Sequence, residues 1–210
     1  MKDKNDDDSI KIILLGEASV GKTSLINVYE SQTFDNNIKN STNASCIQKN
    51  VETKSGKFSV KLWDTAGQEK FRSMNKLFMK NSSIVIFVYD ITRKKTFDEL
   101  SFWFDYTEKI LGKNEAVYGV VANKIDLFDK LEELKENNPE IEYELVNKKD
   151  GSEYAKKIGA EFCETSAKEM APGFSELIQN LLEEFSSRNK TFNNRKSLNL
   201  NKPHGSGKCC

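Results

Sequence analysis

A glycine-containing stretch near the start of the chain carries residues that could bind phosphate. Residues 16–23 read GEASVGKT and fit the pattern G-x-x-x-x-G-K-[ST]. They lie between an apolar, strand-like run and a helical pattern, the context in which this pattern wraps phosphate groups. The glycines let the backbone approach closely, and the N–H groups that open the following helix attract an anion. Residues 16–23, called the phosphate loop below, therefore predict a nucleoside triphosphate site.

Two side chains of the phosphate loop have predicted roles of their own. The ammonium group of Lys22 is expected to reach the β- and γ-phosphates, and the hydroxyl group of Thr23 is expected to bind Mg²⁺. The residues predicted to contact the nucleotide are those of the loop and the one that follows it: Gly16, Glu17, Ala18, Ser19, Val20, Gly21, Lys22, Thr23 and Ser24.

A second motif, NKID at residues 123–126, directly follows another apolar run and so lies at the carboxyl end of a predicted strand. The carboxylate of Asp126 can accept hydrogen bonds from both N1–H and the exocyclic amine of guanine. Adenine lacks that pair of donors, and a buried polar group without a partner is unfavourable. This NKID loop therefore predicts a preference for guanine, with Asn123, Lys124 and Asp126 at the base.

A third motif, ETSAK at residues 164–168, follows the last short predicted strand. The backbone N–H of Ala167 is predicted to hold guanine O6. This ETSAK loop therefore adds Ser166, Ala167 and Lys168 to the predicted base-binding residues.

A fourth motif, WDTAGQE at residues 63–69, lies at the end of another predicted strand. Its carboxylate, Asp64, is predicted to hold Mg²⁺ through water. The N–H of Gly67 is predicted to donate to a γ-phosphate, and Gln68 to orient the water molecule that attacks it. The motif therefore predicts hydrolysis as well as binding.

Strands and helices that must position these motifs alternate along the chain. Apolar runs predict strands at residues 10–15, 58–63, 83–89 and 116–122. Apolar spacing predicts helices at residues 22–30, 97–111, 152–158 and 174–185. This order is typical of an α/β fold, a mostly parallel sheet with helices on both faces that binds ligands at the carboxyl ends of its strands. Residues 44–63 predict a hairpin and hence one antiparallel edge strand.

Composition limits the classes of protein to consider. The 210 residues carry 32 Lys and Arg against 32 Asp and Glu, which argues against a chain-wide nucleic-acid binder. One histidine, His204, leaves no base or ligand set for the usual zinc clusters or Ser/His nucleophile pairs. The acidic N-terminus and the lack of a run of about 20 apolar residues predict a cytosolic chain without signal peptide or membrane span.

Three polar segments flank or interrupt the predicted domain at residues 10–187. Residues 1–9 are predicted to be disordered, and residues 188–210 to form a flexible tail that holds six Lys and Arg and no acid. Residues 127–150 hold eight acids against four bases and predict a surface insertion. Two roles stay open for this insertion, a solvated surface or a docking site for a specific partner.

Taken together, the four motifs resemble those of the Ras superfamily of small GTPases. The runs VYDIT at residues 88–92 and KFRSM at 70–74 resemble the Rab family within it. The resemblance covers residues 10–187 apart from the insertion. It implies the P-loop small GTPase fold with six strands, and a switch in vesicle and membrane trafficking that hydrolyses GTP to GDP slowly and needs an activating protein.

The double-cysteine end of the chain, Cys209 and Cys210, also resembles Rab proteins, in which it carries two geranylgeranyl groups. Two lipid chains anchor a protein firmly, and the basic tail would add attraction to an anionic leaflet. The resemblance implies Mg²⁺ as cofactor and GTP or GDP as ligand. It implies effectors, an exchange factor, a GTPase-activating protein, and an escort protein or GDP-dissociation inhibitor as partners. It places the protein on the cytoplasmic face of intracellular membranes, from which it cycles to the cytosol and back. It implies no nucleic-acid partner.

The first switch departs from the Rab pattern T-[IL]-G-x-[DE]-F, because residues 41–47 read STNASCI. Counting from Lys22 favours Ser41 as the residue that senses the γ-phosphate and Mg²⁺, whereas counting from the hairpin favours Thr42, which we prefer. The aromatic ring of Phe34 is expected to cover guanine or to act as a hydrophobic pin. No arginine occurs from residue 16 to 47, so an internal arginine finger is not expected there. A nucleotide-binding scaffold without hydrolysis and a P-loop phosphotransferase are the alternatives.

Overall fold

The computed structural model describes residues 9–35, 45–65, 75–137 and 139–200. Six strands run along these ranges: β1 (Ile10–Leu15), β2 (Ser45–Thr53), β3 (Gly56–Asp64), β4 (Ile84–Asp90), β5 (Val117–Asn123) and β6 (Glu161–Glu164). The α-helices are α1 (Lys22–Ser31), α2 (Asn75–Met79), α3 (Lys94–Asp98), α4 (Leu100–Leu111), α5 (Leu131–Asn137), α6 (Lys148–Ile158) and α7 (Gly173–Leu200). A 3₁₀ helix spans Ile125–Lys130.

All six strands form one sheet in the order β2-β3-β1-β4-β5-β6. The pairs β1–β3, β1–β4, β4–β5 and β5–β6 are parallel, whereas the β2–β3 hairpin is antiparallel. This arrangement confirms the predicted α/β class, a mostly parallel six-stranded sheet with one antiparallel edge strand.

Alternating side chains of the central strands fill two separate cores. In β1, Ile12 and Leu14 belong to the core that α1 and α7 cover, while Ile13 and Leu15 belong to the core on the opposite face. The second core includes Trp103 of α4, which is 1 % exposed. Strands buried on both faces explain the near-continuous apolar runs of the sequence.

Two of the predicted helices, at residues 97–111 and 174–185, differ from the helices in the structure. The predicted helix at 97–111 is two helices, α3 and α4, which meet at Glu99. The predicted tail begins at Arg188, whereas α7 continues to Leu200. No proline or glycine occurs between Gly173 and Pro203, so no helix-breaking residue interrupts α7. None of the helices in the described ranges is long and apolar enough to cross a membrane.

The acidic segment at residues 127–150 is solvated surface only in part. Its first part continues the 3₁₀ helix and α5, neither of which has a buried residue. Its later part pairs with the loop after β4, where the N–H of Glu144 donates to the carbonyl of Thr92 at 2.9 Å. The side chain of Val146 is 1 % exposed and α6 already begins at Lys148, so residues 144–146 form a strap that belongs to the domain.

Candidate functional site

Loops at the carboxyl ends of neighbouring parallel strands come together at one edge of the sheet. The phosphate loop follows β1, the NKID loop begins at the last residue of β5, and the ETSAK loop begins at the last residue of β6. Because β5 pairs with β4 and β6, and β4 pairs with β1, the strand order places these loops side by side. This edge is where open α/β sheets bind their ligands.

Both glycines of the phosphate loop are required by their surroundings. Gly16 has a φ of +146°, and a methyl group on it would lie 2.1 Å from the carbonyl oxygen of Val88. Gly21 has a φ of +98°, and a methyl group there would lie 2.2 Å from Nδ2 of Asn123. Glycine is the residue that adopts such φ values without strain and leaves room for these neighbours. The tight loop that the sequence predicted is therefore held against β4 and the NKID loop.

The ammonium group of Lys22 lies inside the turn of the phosphate loop. Its Nζ donates 2.8 Å hydrogen bonds to the carbonyl oxygens of Gly16 and Glu17, and the residue is only 5 % exposed. A buried ammonium is stable only with such partners. The structure thus holds a fixed positive charge at the loop, in the position that the sequence assigned to phosphate binding.

The side-chain amide of Asn123 links the three loops. Its Nδ2 donates to the carbonyl oxygen of Val20 at 2.8 Å, and its Oδ1 accepts from the N–H of Ala167 at 3.2 Å. The residue is 1 % exposed. The Ala167 N–H, which the sequence assigned to guanine O6, thus has a protein partner at the long end of the usual N–H···O range.

The carboxylate of Asp126 lies at a cavity of about 180 Å³. Its Oδ1 accepts a 2.6 Å hydrogen bond from the hydroxyl of Ser166, which in turn accepts from the N–H of Glu169 at 3.1 Å. The side chain of Phe34 lines the cavity and also packs against the first core. The lining residues are Gly21, Ser24, Phe34, Asn123, Lys124, Asp126, Leu127, Ala167 and Lys168.

Two of the three predicted magnesium ligands lie in the described ranges. Thr23 opens α1 beside Lys22, and Asp64 ends β3 with 1 % exposure. The neighbouring Thr65 is fixed by a 2.6 Å hydrogen bond from its Oγ1 to the carbonyl oxygen of Leu14. Hydroxyl and carboxylate oxygens are the hard ligands that Mg²⁺ prefers, so this donor set fits that ion.

Several predicted site residues fall outside the described ranges. They are Ser41, Thr42, Gly67, Gln68, Cys209 and Cys210. Their assigned roles in sensing the γ-phosphate, hydrolysis and lipid attachment stay predictions.

Sequence reasoning missed an ion cluster next to the phosphate loop, centred on the buried carboxylate of Asp90. The carboxylate of Asp90 lies 2.7 Å from Nζ of Lys124 and 3.1 Å from Nε of Arg93. Arg93 also donates from Nη2 to the carbonyl oxygen of Ala18 at 2.9 Å. The signal available was the position of Asp90 at a strand end with Arg93 three residues later, but the sequence does not show that they face the phosphate loop.

Comparison of the sequence with known proteins shows the family of the chain. The sequence profile of the Ras family matches residues 11–187. The chain belongs to the Ras family. This Ras-family protein is 32 % identical to the Ras-related protein Rab-21 of Geodia cydonium over 176 residues, which cover 82 % of the chain and 71 % of that relative. It is 30 % identical to the Ras-related protein Rab-18-B of Danio rerio over 211 aligned positions, which cover 97 % and 96 %.

These matches confirm the resemblance to Rab proteins and the fold class that it implied. The protein is a Rab-type small GTPase, a switch that binds and hydrolyses GTP and acts in membrane trafficking. Ras-family GTPases act with exchange factors, activating proteins and effectors, and typically with Mg²⁺, and Rab proteins associate with intracellular membranes.

Proposed function

We propose that the cavity beside Asp126 binds the guanine base of GTP and GDP and that the phosphate loop binds their phosphates. The observation that carries the proposal is the hydrogen bond from Ser166 to Asp126, which holds the carboxylate at the cavity. A carboxylate has two oxygens and about four lone pairs. With one lone pair used by Ser166, Asp126 retains acceptors for both N1–H and the exocyclic amine of guanine.

The opposite edge of the base is assigned to the ETSAK loop. The Ala167 N–H lines the cavity and donates to Asn123 at 3.2 Å, and guanine O6 would share this donor in a three-centre bond. Phe34 lines the cavity as an apolar neighbour of the ring. The backbone donor of Ala167 thus faces one edge of guanine, and the acceptor oxygens of Asp126 face the other. Adenine does not match this pattern.

Phosphate binding rests on the phosphate loop and Lys22. The N–H groups at the start of α1 and the ammonium group together present positive charge to the β- and γ-phosphates. Because Lys22 is fixed by the carbonyls of Gly16 and Glu17, its position needs little reorganisation when the nucleotide arrives.

Mg²⁺ is assigned to Thr23, Asp64 and Thr42, with Ser41 as the alternative to Thr42. When bound, the ion would neutralise charge on the β- and γ-phosphates. The side chain of Gln68 orients the water that attacks the γ-phosphate. The γ-phosphate then leaves as inorganic phosphate, and GDP stays in the site. Loss of the γ-phosphate releases both switches, and this release distinguishes the effector-binding state from the GDP state.

The membrane anchor is assigned to geranylgeranyl groups on Cys209 and Cys210. Two chains give firm attachment where one gives only marginal binding. Basic residues near the end of the chain add attraction to an anionic leaflet. We infer a protein that works on the cytoplasmic face of intracellular membranes and that an escort protein or GDP-dissociation inhibitor carries through the cytosol.

A single-turnover assay tests the nucleotide and the metal together. Purified protein loaded with GTP should release phosphate when Mg²⁺ is present and much more slowly when the ion is chelated. ATP at the same concentration should neither bind nor be hydrolysed. Tight GTP binding without any release of phosphate would indicate the scaffold alternative, and equal binding of ATP would overturn the assignment of the cavity.

A further inference from the structure

We propose that Arg93 is a positioning residue of the nucleotide site, which fixes the phosphate loop to the NKID loop through Asp90. The inference rests on the proposed function, because it assigns a role to a residue behind the same phosphate-binding loop. Arg93 itself lies outside all of the sequence motifs described above.

The guanidinium group of Arg93 makes two contacts with different nitrogens. Nη2 donates to the carbonyl oxygen of Ala18 at 2.9 Å, and Nε lies 3.1 Å from the carboxylate of Asp90. The side chain is 22 % exposed. A planar fork can make both bonds at once, whereas the single nitrogen of a lysine is a point donor on a flexible stem. The geometry therefore requires arginine and not merely a positive charge.

Asp90 is the buried centre of this arrangement. Besides Arg93 and Lys124, its carboxylate accepts from the N–H of Thr92 at 3.0 Å and from the Thr92 hydroxyl at 2.7 Å. Burial would raise the pKa of Asp90, but the charge and hydrogen bond of Lys124, with Thr92 and Arg93, hold it below its ordinary value. The carboxylate is thus ionised at neutral pH and joins cations from two different loops.

The contact with Ala18 bears on phosphate binding because it polarises the loop. The Ala18 carbonyl and the Ser19 N–H belong to the same peptide group, and a charged donor on the carbonyl makes that N–H more positive. Phosphate loops hold their ligand with backbone N–H groups. Arg93 therefore makes the Ser19 N–H a stronger hydrogen-bond donor to phosphate. It also limits movement of the phosphate loop.

The loop that carries Arg93 does not depend on the Arg93 side chain for its conformation. Backbone bonds tie it to the strap: Lys94 N–H to the carbonyl of Glu144 at 2.8 Å, and Val146 N–H to the carbonyl of Ile91 at 2.9 Å. The hydroxyl of Thr96 also donates to the Arg93 carbonyl at 2.8 Å. We therefore expect a side-chain substitution at Arg93 to leave the fold intact.

The test compares Arg93→Ala and Arg93→Lys with Lys95→Ala, a matched control because Lys95 is an exposed cation of α3 two residues away. Affinities for GDP and GMP are measured by titration of the nucleotide-free proteins. Both Arg93 variants should bind GDP about tenfold more weakly than the wild type. Their GMP affinity should fall clearly less, because GMP lacks the β-phosphate. The control should match the wild type.

A second readout separates positioning from a general loss of stability. The ³¹P resonance of the β-phosphate in bound GDP should shift in Arg93→Ala and stay in place in Lys95→Ala. Wild-type GDP affinity or an unshifted resonance in Arg93→Ala would overturn the proposal, as would full recovery in Arg93→Lys. These outcomes differ from failure of the proposed function, in which the wild type itself would bind no GDP.

Discussion

The amide Nδ2 of Asn123 donates a 2.8 Å hydrogen bond to the carbonyl oxygen of Val20, 103 positions earlier in the chain. The bond crosses from the NKID loop to the phosphate loop, so it fixes the separation between the two parts of the site. That separation must match the distance between a nucleotide's base and its phosphates. One buried amide therefore makes base recognition and phosphate binding depend on each other.

Asp126→Asn should weaken GTP binding by about 100-fold, since two charge-assisted hydrogen bonds to guanine are lost. The variant should gain affinity for xanthosine triphosphate, because xanthine carries a carbonyl where guanine has its amine. Competition titrations with both nucleotides measure the change. Asp129→Asn is the control, since Asp129 is exposed on the same 3₁₀ helix. Unchanged GTP affinity in Asp126→Asn would contradict the assignment of the base cavity.

Gln68→Leu should slow GTP hydrolysis by roughly tenfold or more, because the attacking water loses the group that orients it. GTP affinity should stay near the wild-type value, since Gln68 is assigned to the water and not to the nucleotide. Single-turnover phosphate release and GTP titration measure the two quantities. Gln179→Leu on the exposed face of α7 is the control. A wild-type hydrolysis rate in Gln68→Leu would remove this residue from the mechanism.

Gly16→Ala should destabilise the protein far more than Gly56→Ala. The two residues have similar φ angles, +146° and +139°, so an added methyl group strains both backbones by about 1–3 kcal/mol. Only at Gly16 would that group also lie 2.1 Å from a carbonyl oxygen, whereas nothing lies within 4 Å at Gly56. Urea unfolding of the nucleotide-free proteins gives the difference in the free energy of unfolding without a contribution from GDP affinity. Equal losses would mean that contact with Val88 is unimportant.

Replacing both Cys209 and Cys210 by serine should move the protein from membranes to the cytosol, because thioether attachment of a prenyl group needs a thiol. Fractionation of cells and microscopy of a labelled protein measure the distribution. Cys46→Ser is the control, since Cys46 is an exposed free cysteine of β2. A double variant that stays on membranes would refute the lipid anchor.

Local patterns predicted most of the fold and much of the site. The central strands are apolar on both faces, so runs such as residues 10–15 were visible without a structure, and Gly16, Lys22 and Asp126 stand in motifs of fixed spacing. The extension of α7 to Leu200 was missed because the prediction relied on an apolar stripe, which ends near Phe185.

Contacts between distant segments were beyond sequence reasoning. Arg93 and Ala18 are 75 positions apart, and only the strand order brings the loop after β4 against the phosphate loop. The pairing of the strap with residues 91–94 is of the same kind. A charge count over residues 127–150 described that segment by its average and concealed the apolar Val146 within it.

The strap has a practical consequence for anyone who labels this protein. Residues 132–136 of α5 carry no buried side chain, so a fluorophore or affinity tag spliced there would leave the domain undisturbed. The same insert placed at residue 145, nine positions beyond the end of that range, would disturb the backbone hydrogen bonds between residues 144–146 and the loop that carries Arg93.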